Sequence, residues 1–519
     1  MVYVEPDIDY AAMHRECRAK VFAGMKEAGV TSGVALLKGG EPSFRHDTDH
    51  EHLFRQESHF FYLFGINEPD LYGLLDFSTG LSHVFIPRLD IDYEIWCGKI
   101  VPPSGYAQRY GIDCVHFVDE LTEVLKVLGG PIHILSGINS DSKREIVKVD
   151  VQSLIDTEVI DAVLYRVMVE SRAIKSGLEL DLMRYVNNFA SKAHINVMQN
   201  CKPGLMEFQL ESLFLHYASF EGGSRYSAYT CICGCGPNGA VLHYGHAGAP
   251  NSGRIKDGDM CLLDMGAEYH CYASDITCSY PSNGKFTQKQ KGIYNAVLDA
   301  LLAVREAVKE GVEWVEMHLL AERMIVKGLV AEGIVLLGDK TLDQVLDLEI
   351  GALFFPHGLG HLMGMDTHDV GGYPQGISRH SRPGLSSLRL NRPLKAGMVL
   401  TNEPGCYFIE ALLVPALDDP VKGPHLNRDL ILGDYANFGG VRLEEDLIIT
   451  VDGCENMTDV PRTVEDIEAV MSGQAWPSPD AATEKLWTRT TIKTQTLVKD
   501  GDVIKKSSVT TNVVYTPKV

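Results

Sequence analysis

Hydrophobic and polar positions divide the chain into three stretches with different periods. Residues 11–29 carry apolar side chains at helical spacing and end on a glycine, which predicts a helix. Short apolar runs then predict strands at residues 33–37, 60–64, 72–77, 83–87 and 132–135, with a helix at 120–128. Residues 1–165 therefore read as an α/β unit. A boundary follows near residues 163–175, after which Ser176 and Glu179 fit a capping box. It opens a helix running to about residue 199. Helical spacing returns at 208–218, 292–309 and 315–332, and strand-like runs fall at 229–233, 260–265, 273–280, 398–403 and 441–451. Residues 166–472 thus read as an α+β domain. The remaining stretch, 473–519, is rich in Thr and Lys; residues 499–502 offer a hairpin turn, but the composition favours a mobile tail.

Composition narrows the function classes. The 519 residues carry a formal net charge of −22, which disfavours non-specific binding to nucleic acid or anionic membranes. No apolar run is long enough to span a bilayer. The opening MVYVEPDIDYAAMHREC lacks the apolar core of a secretory signal. Twelve cysteines in so long a chain do not make a disulfide scaffold, and Cys231, Cys233 and Cys235 lack zinc-site spacing. They read as reduced, mostly buried thiols, so a cytoplasmic location is expected. Residues 1–165 hold no phosphate-binding glycine loop and no catalytic cluster, and read as a scaffold or oligomerisation domain.

The chemistry concentrates in the second half. Asp264 and Asp275 lie eleven positions apart in an apparent hairpin. With a two-residue turn at Tyr269–His270 they would oppose each other on one sheet face, where like charges call for a cation. The stretch PHGLGHLMG brings His357 and His361, with glycines that argue against a regular helix and without the Glu of HExxH. Taken singly, either histidine also reads as structural. Glu403 ends a strand at Glu403-Pro404-Gly405, where the chain changes direction; a turn without function is the other reading. In GGVRLEEDLIITVDG, period two places Glu444 with Arg442 and Asp446 on the polar face and Glu445 on the apolar one. Asp264, Asp275, His361, Glu403 and Glu444 then form a candidate ligand set, whose four carboxylates two divalent cations would neutralise. Oxygen-dominated ligation with one imidazole suits Mn²⁺, with Zn²⁺, Co²⁺ and Fe²⁺ left open.

At these residues the sequence resembles the prolidase family of the creatinase and methionine aminopeptidase superfamily. RQESHFFYLFGINEP, YTCICGCGPNGAVLHYGHAGAPN, LLDMGAEYHCYASDITCS, PHGLGHLMGMDTHDVGGYP, LTNEPGCYF and GGVRLEED carry the likeness over roughly residues 5–472. The resemblance implies a creatinase-type α/β domain before a pita-bread catalytic domain, a homodimer, and two bridged Mn²⁺ ions on the five residues above. It implies substrate contacts at His243, His368 and Arg389, with Arg442 and His357 behind the ligands. The activity it implies is hydrolysis of the imide bond in Xaa-Pro dipeptides by a bridging hydroxide, with Glu403 moving the proton and His368 polarising the carbonyl. An aminopeptidase acting on longer Xaa-Pro peptides and a non-catalytic binding module of the same fold are the alternatives. The resemblance does not extend to residues 473–519.

Overall fold

The computed structural model describes residues 3, 5–477, 487–500 and 503–517. They fall into two compact units, Met1–Met471 and Ser472–Val519. The first begins with the helix Tyr10–Glu27, whose N-terminus is capped by the Asp9 carboxylate accepting from the Ala12 amide. A six-stranded sheet follows, in the order Cys114–Phe117, Ser82–Ile86, Tyr72–Asp76, Val34–Lys38, Ile132–His133 and Val159–Ile160. Its core side packs Val34, Leu36, Leu74 and Phe85 against Leu121 and Leu125 of the helix Leu121–Leu128.

One expectation fails here. Residues 60–64, read as a strand, belong to the helix Ser58–Phe64. All seven of its residues are buried, so no period distinguishes helix from strand. The deciding signals are local: the Glu57 carboxylate accepts from the His59 and Phe60 amides, and Gly65 closes the helix at φ 67°. The stretch read as a boundary carries the helix Leu164–Ala173.

The rest of the first unit repeats one theme twice, a helical pair beside a small antiparallel sheet. The helix Gly177–Asn200 opens on the Ser176–Glu179 capping box and packs on Glu207–Gly222. Beside them Ile232–Cys235, Met260–Asp264 and Thr277–Pro281 form one sheet. Gln288–Ala307 packs on Trp314–Ala331, and Val399–Asn402 pairs with Glu445–Ile449 and through it with Cys454–Asn456. The expected strand over 441–451 is in fact two. Gly440–Arg442 pairs with Gly405–Tyr407, Glu445–Ile449 pairs with Val399–Asn402, and the chain changes partner at Leu443 and Glu444. All twelve cysteines are free thiols and most are buried. Among the described residues, no helix is long and apolar enough to cross a membrane.

In the second unit, Trp487–Asp500 pairs antiparallel with Val503–Pro517. Composition favoured a tail over this hairpin, yet its Thr, Val and Ile content also suits strands. Residues 501 and 502, at the expected turn, lie outside the described residues.

Buried ion pairs bind distant parts of the first unit together. Arg172, about 1 % exposed, donates to Asp366 at 2.7 Å and Asp369 at 2.6 Å, and Lys175 reaches Asp369 at 3.1 Å. Arg55 adds a hydrogen bond to the Met365 carbonyl at 2.7 Å and an ion pair to Glu268 at 3.2 Å. The loop 365–369 is thereby fixed by charges contributed from residues 55, 172 and 175. Removing Arg172 leaves the buried Asp369 with Lys175 as its remaining cation and unpairs the partly exposed Asp366 from the guanidinium. Arg172→Ala should therefore lower unfolding free energy by about 3–5 kcal/mol in urea titrations. A loss below about 1 kcal/mol, the range of an exposed pair, would mean that the backbone alone holds the loop.

Candidate active site

The hairpin carrying the two aspartates differs from its expected register by two residues. Glu268 pairs with Ala273, Tyr269 with Tyr272, and Asp264 with Thr277. The turn is therefore His270–Cys271, one residue beyond the expected Tyr269–His270, and both residues take positive φ, 48° and 59°. Paired positive φ is what a two-residue hairpin demands, normally met by Asn-Gly. A shift of two preserves side-chain direction. Asp264 and Asp275 thus remain on one face but as diagonal rather than direct partners. Opposite Asp275 stands Gly266, where a Cβ would lie 2.0 Å from the Ser274 carbonyl oxygen.

Three further segments complete the site. The stretch around His361 runs beside Val399–Asn402: the Thr401 amide donates to the His361 carbonyl at 3.0 Å, and the Glu403 amide donates to the Leu359 carbonyl at 2.8 Å. Gly360 permits this approach, since a Cβ there would meet the Thr401 oxygen at 2.0 Å. Glu403 follows the strand end at Asn402, and Glu444 occupies the partner change described above. Asp275, His361 and Glu444 bring ligating atoms within 4.8 Å of one another.

The tautomer of His361 is fixed by its neighbours. Its Nδ1 lies 3.1 Å from the Leu362 carbonyl, which only accepts, so Nδ1 carries the hydrogen. Nε2 then presents a lone pair to Asp275 at 3.3 Å and Glu403 at 3.5 Å. Burial lowers the imidazole pKa, so protonation does not relieve the contact. A lone pair aimed at two carboxylates is relieved by a cation between them or, in metal-free protein, by a proton on one carboxyl. The donor set fits a divalent metal on this ground.

The surrounding charges agree. Burial, then the charge of Asp264, pushes the Asp275 carboxyl well up; burial with Asp275 and Glu403 does the same for Glu444. Glu403 is pushed up to about 7 by burial, against His361 and Arg442, which lower it. Arg442 donates to Asp264 at 2.6 Å and Tyr407 at 2.7 Å, while Arg462 donates to the backbone carbonyl of Glu444. Burial disfavours the charge of Arg442, but Tyr407, Asp264 and Glu444 outweigh that and raise its pKa. His357 spans Glu403 at 3.7 Å and the Tyr407 hydroxyl at 2.8 Å.

One cavity of about 800 Å³ is lined by Asp264, Asp275, His361, Glu403 and Glu444, and also by His243, His357, His368, Arg389 and Arg442. Every candidate from the sequence thus reaches the same space. Glu445, the rejected neighbour, instead pairs with Arg305 at 3.0 Å. Among the lining residues not singled out from the sequence, Tyr229 and Asp141 touch or approach candidate residues. Tyr229 donates to Asp264 at 2.5 Å, and nothing in its sequence surroundings distinguishes it from a strand tyrosine. Asp141, from the half read as scaffold, pairs with Arg379 and lies 3.6 Å from Arg389. Its signal was an acid in a polar Asn-Ser-Asp loop, too common to single out.

The chain belongs to metallopeptidase family M24. The model of that family matches residues 181–451, and the aminopeptidase P N-terminal domain matches 14–133. The architecture is accordingly an aminopeptidase P-type α/β domain followed by the pita-bread catalytic fold. A human Xaa-Pro dipeptidase is 48% identical over 450 residues, covering 86% of this chain and 90% of the relative. Among solved structures, Pseudomonas aeruginosa aminopeptidase PepP superposes with a TM-score of 0.74 at 30% identity, covering 91% of this chain and 99% of that one. Zinc-substituted Escherichia coli aminopeptidase P in complex with product gives 0.73 at 30% identity, covering 90% and 99%.

The carboxylates set a pH dependence for metal-free protein. A carboxyl held near 7 when folded, against an ordinary 4.5, binds protons that the unfolded chain has released. Its contribution is present below pH 4.5 and lost as pH rises through 7. Chelator-treated protein should therefore lose thermal stability between those values, and added Mn²⁺ should restore it most at the upper end. A melting temperature that rises over this range without metal, or Mn²⁺ rescue that is equal at both ends, would contradict the assignment.

Proposed function

We propose that this protein hydrolyses the imide bond of Xaa-Pro dipeptides and releases proline. The observation that carries the reading is the convergence of five ligand-type side chains with His243, His368 and Arg389 on one cavity of about 800 Å³. That volume suits a small substrate rather than a folded one. The 48% identity to a human Xaa-Pro dipeptidase supports the same substrate class.

Asp264, Asp275, His361, Glu403 and Glu444 would hold two divalent cations, with Mn²⁺ preferred. Bound there, the pair would supply Lewis acidity and the bridging hydroxide expected from the family. The chain's own groups do the rest. Arg442 and Tyr229 fix the Asp264 carboxylate by hydrogen bonds of 2.6 and 2.5 Å. Burial keeps His368 neutral, so its ring can polarise a carbonyl without adding charge. Glu403 carries a proton from the attacking water to the proline nitrogen, which must be protonated to leave. Arg389 takes the substrate carboxylate, helped by His243, and its ion pair with Asp141 is loose at 3.6 Å. A guanidinium can give that carboxylate two parallel hydrogen bonds. The family reading also carries a homodimer, measurable by sedimentation.

The likeness to aminopeptidase P structures keeps activity on longer peptides as the second reading. The two separate by chain length, because only a dipeptide ends in a carboxylate beside the scissile bond. Arg389→Ala should cut kcat/KM for Gly-Pro by at least about tenfold, the lower end expected for a lost charge-assisted contact, with metal content unchanged. Gly-Pro-amide cleavage should fall far less. Equal losses on both substrates would sink the clamp, and efficient wild-type cleavage of Xaa-Pro-Xaa tripeptides would favour the aminopeptidase.

The metal assignment has its own test. Asp275→Asn should lower bound metal and abolish Gly-Pro cleavage, measured on the same preparation by elemental analysis and proline release. Two metals and full turnover in that variant would remove the dinuclear reading.

A further inference from the structure

The α/β domain brings together a second set of ligating groups. His83 lies on the strand Ser82–Ile86, and Cys114 and His116 on the adjacent strand Cys114–Phe117. The strands are parallel, with His83 opposite Cys114 and Phe85 opposite His116. Side chains alternate along a strand, so all three groups share one sheet face. Their ligating atoms lie within 4.8 Å of one another. None of the three lines the catalytic cavity.

The geometry is close to what a tetrahedral ion requires. His83 Nδ1 and His116 Nε2 are 3.1 Å apart. Two nitrogens bound at 2.0–2.1 Å to one tetrahedral ion stand about 3.3 Å apart. The rings are held for this: His116 stacks on His83 with centroids 5.4 Å apart and on Phe85 at 5.0 Å. Among the described residues, Nε2 of His83 is buried without a hydrogen-bond partner, so the ring's one polar contact there is the Nδ1 contact with His116. Burial lowers the pKa of both imidazoles, which keeps their lone pairs available. His83 is buried, whereas Cys114 and His116 are half-buried on the sheet's edge strand, so the cluster is reachable from solvent.

Charge favours a cation as well. Asp76 and Asp113 act on His83, and Glu120 acts on His116. Burial pushes the Cys114 thiol up, so it is protonated when free and would release one proton on ligation. Thiolate, two neutral imidazoles and a divalent ion sum to +1, which these acids offset.

We propose that His83, Cys114 and His116 form a separate binding site for one divalent transition-metal ion of the zinc type. Two imidazoles and a thiolate select such an ion over the harder cations suited to a carboxylate-rich centre. The site is thus distinct in chemistry as well as in place from the catalytic cluster.

Cobalt tests this directly, because only thiolate ligation gives a sulfur-to-cobalt charge-transfer band in the near ultraviolet. Co²⁺ titrated into the full-length protein already loaded with Mn²⁺ at the catalytic cluster should develop that band and saturate at one equivalent. Cys114→Ser should abolish it, and His116→Ala should weaken binding by at least about tenfold, while both keep Gly-Pro turnover. Cys97→Ser, at an exposed cysteine outside the cluster, should change nothing. A second measurement needs no variant: saturating Zn²⁺ should slow alkylation of Cys114 by at least about tenfold, read by peptide mass spectrometry, with Cys97 as internal reference. No band at saturation, a band that survives Cys114→Ser, or alkylation of Cys114 that Zn²⁺ leaves unchanged would overturn the proposal and leave the two histidines as a hydrogen-bonded stacking pair.

Discussion

Four carboxylates and the bare lone pair of an imidazole converge on one cavity, with the Arg442 guanidinium hydrogen-bonded to one carboxylate among them. This concentration of negative charge is the constraint on which the catalytic half depends. Without a counter-ion Asp275, Glu403 and Glu444 hold protons more tightly than exposed carboxyls do, because burial and their neighbours' charges raise their pKa. With cations they become ligands. The fold therefore has to hold rigid an arrangement that its own electrostatics oppose, and the long capped helices and buried strands around the cavity supply that rigidity.

The positions of the acids follow a common rule. Asp264 is the last residue of its strand, and Asp275 lies between Tyr272–Ala273 and Thr277–Pro281. Glu403 falls between Val399–Asn402 and Gly405–Tyr407, and Glu444 between Gly440–Arg442 and Glu445–Ile449. Asp264 closes its ladder, paired with Ile232 and Thr277, and the other three acids stand between paired segments, where the chain is free to re-aim the side chain. Glycine serves the same end at Gly266 and Gly360, where any side chain would collide with a neighbouring carbonyl.

This explains which parts of the molecule could be read from the sequence. Amphipathic helices with local caps, such as Gly177–Asn200 behind Ser176 and Glu179, were legible because their signals are short-range. The aspartate hairpin was legible in face but not in register, because His270 and Cys271 adopt a turn conformation that their side chains do not advertise. Glu444 was chosen over Glu445 by a parity argument that assumed one continuous strand. The strand is broken there, so the parity argument does not describe the real geometry, although Glu444 does lie with Asp275 and His361. The buried helix at Ser58–Phe64 was misread because an all-apolar run has no period. Tyr229 and Asp141 were invisible because their partners, Asp264 and Arg379, are distant in the chain.

The charged lock on residues 365–369 bears on how the molecule can be divided. Sequence comparison draws two modules, one matched over residues 14–133 and the other over 181–451. Arg55 belongs to the first, while Arg172 and Lys175 lie in the interval between them, yet all three clasp the loop that carries His368. A fragment cut at the module border would retain all five acids and imidazoles of the catalytic cluster and lose the cations that seat a neighbouring wall. Evolutionary units and mechanical units therefore do not coincide in this chain: the leading module is part of the vise, and shuffling it for another of the same fold would require that replacement to supply an arginine at the same point in space.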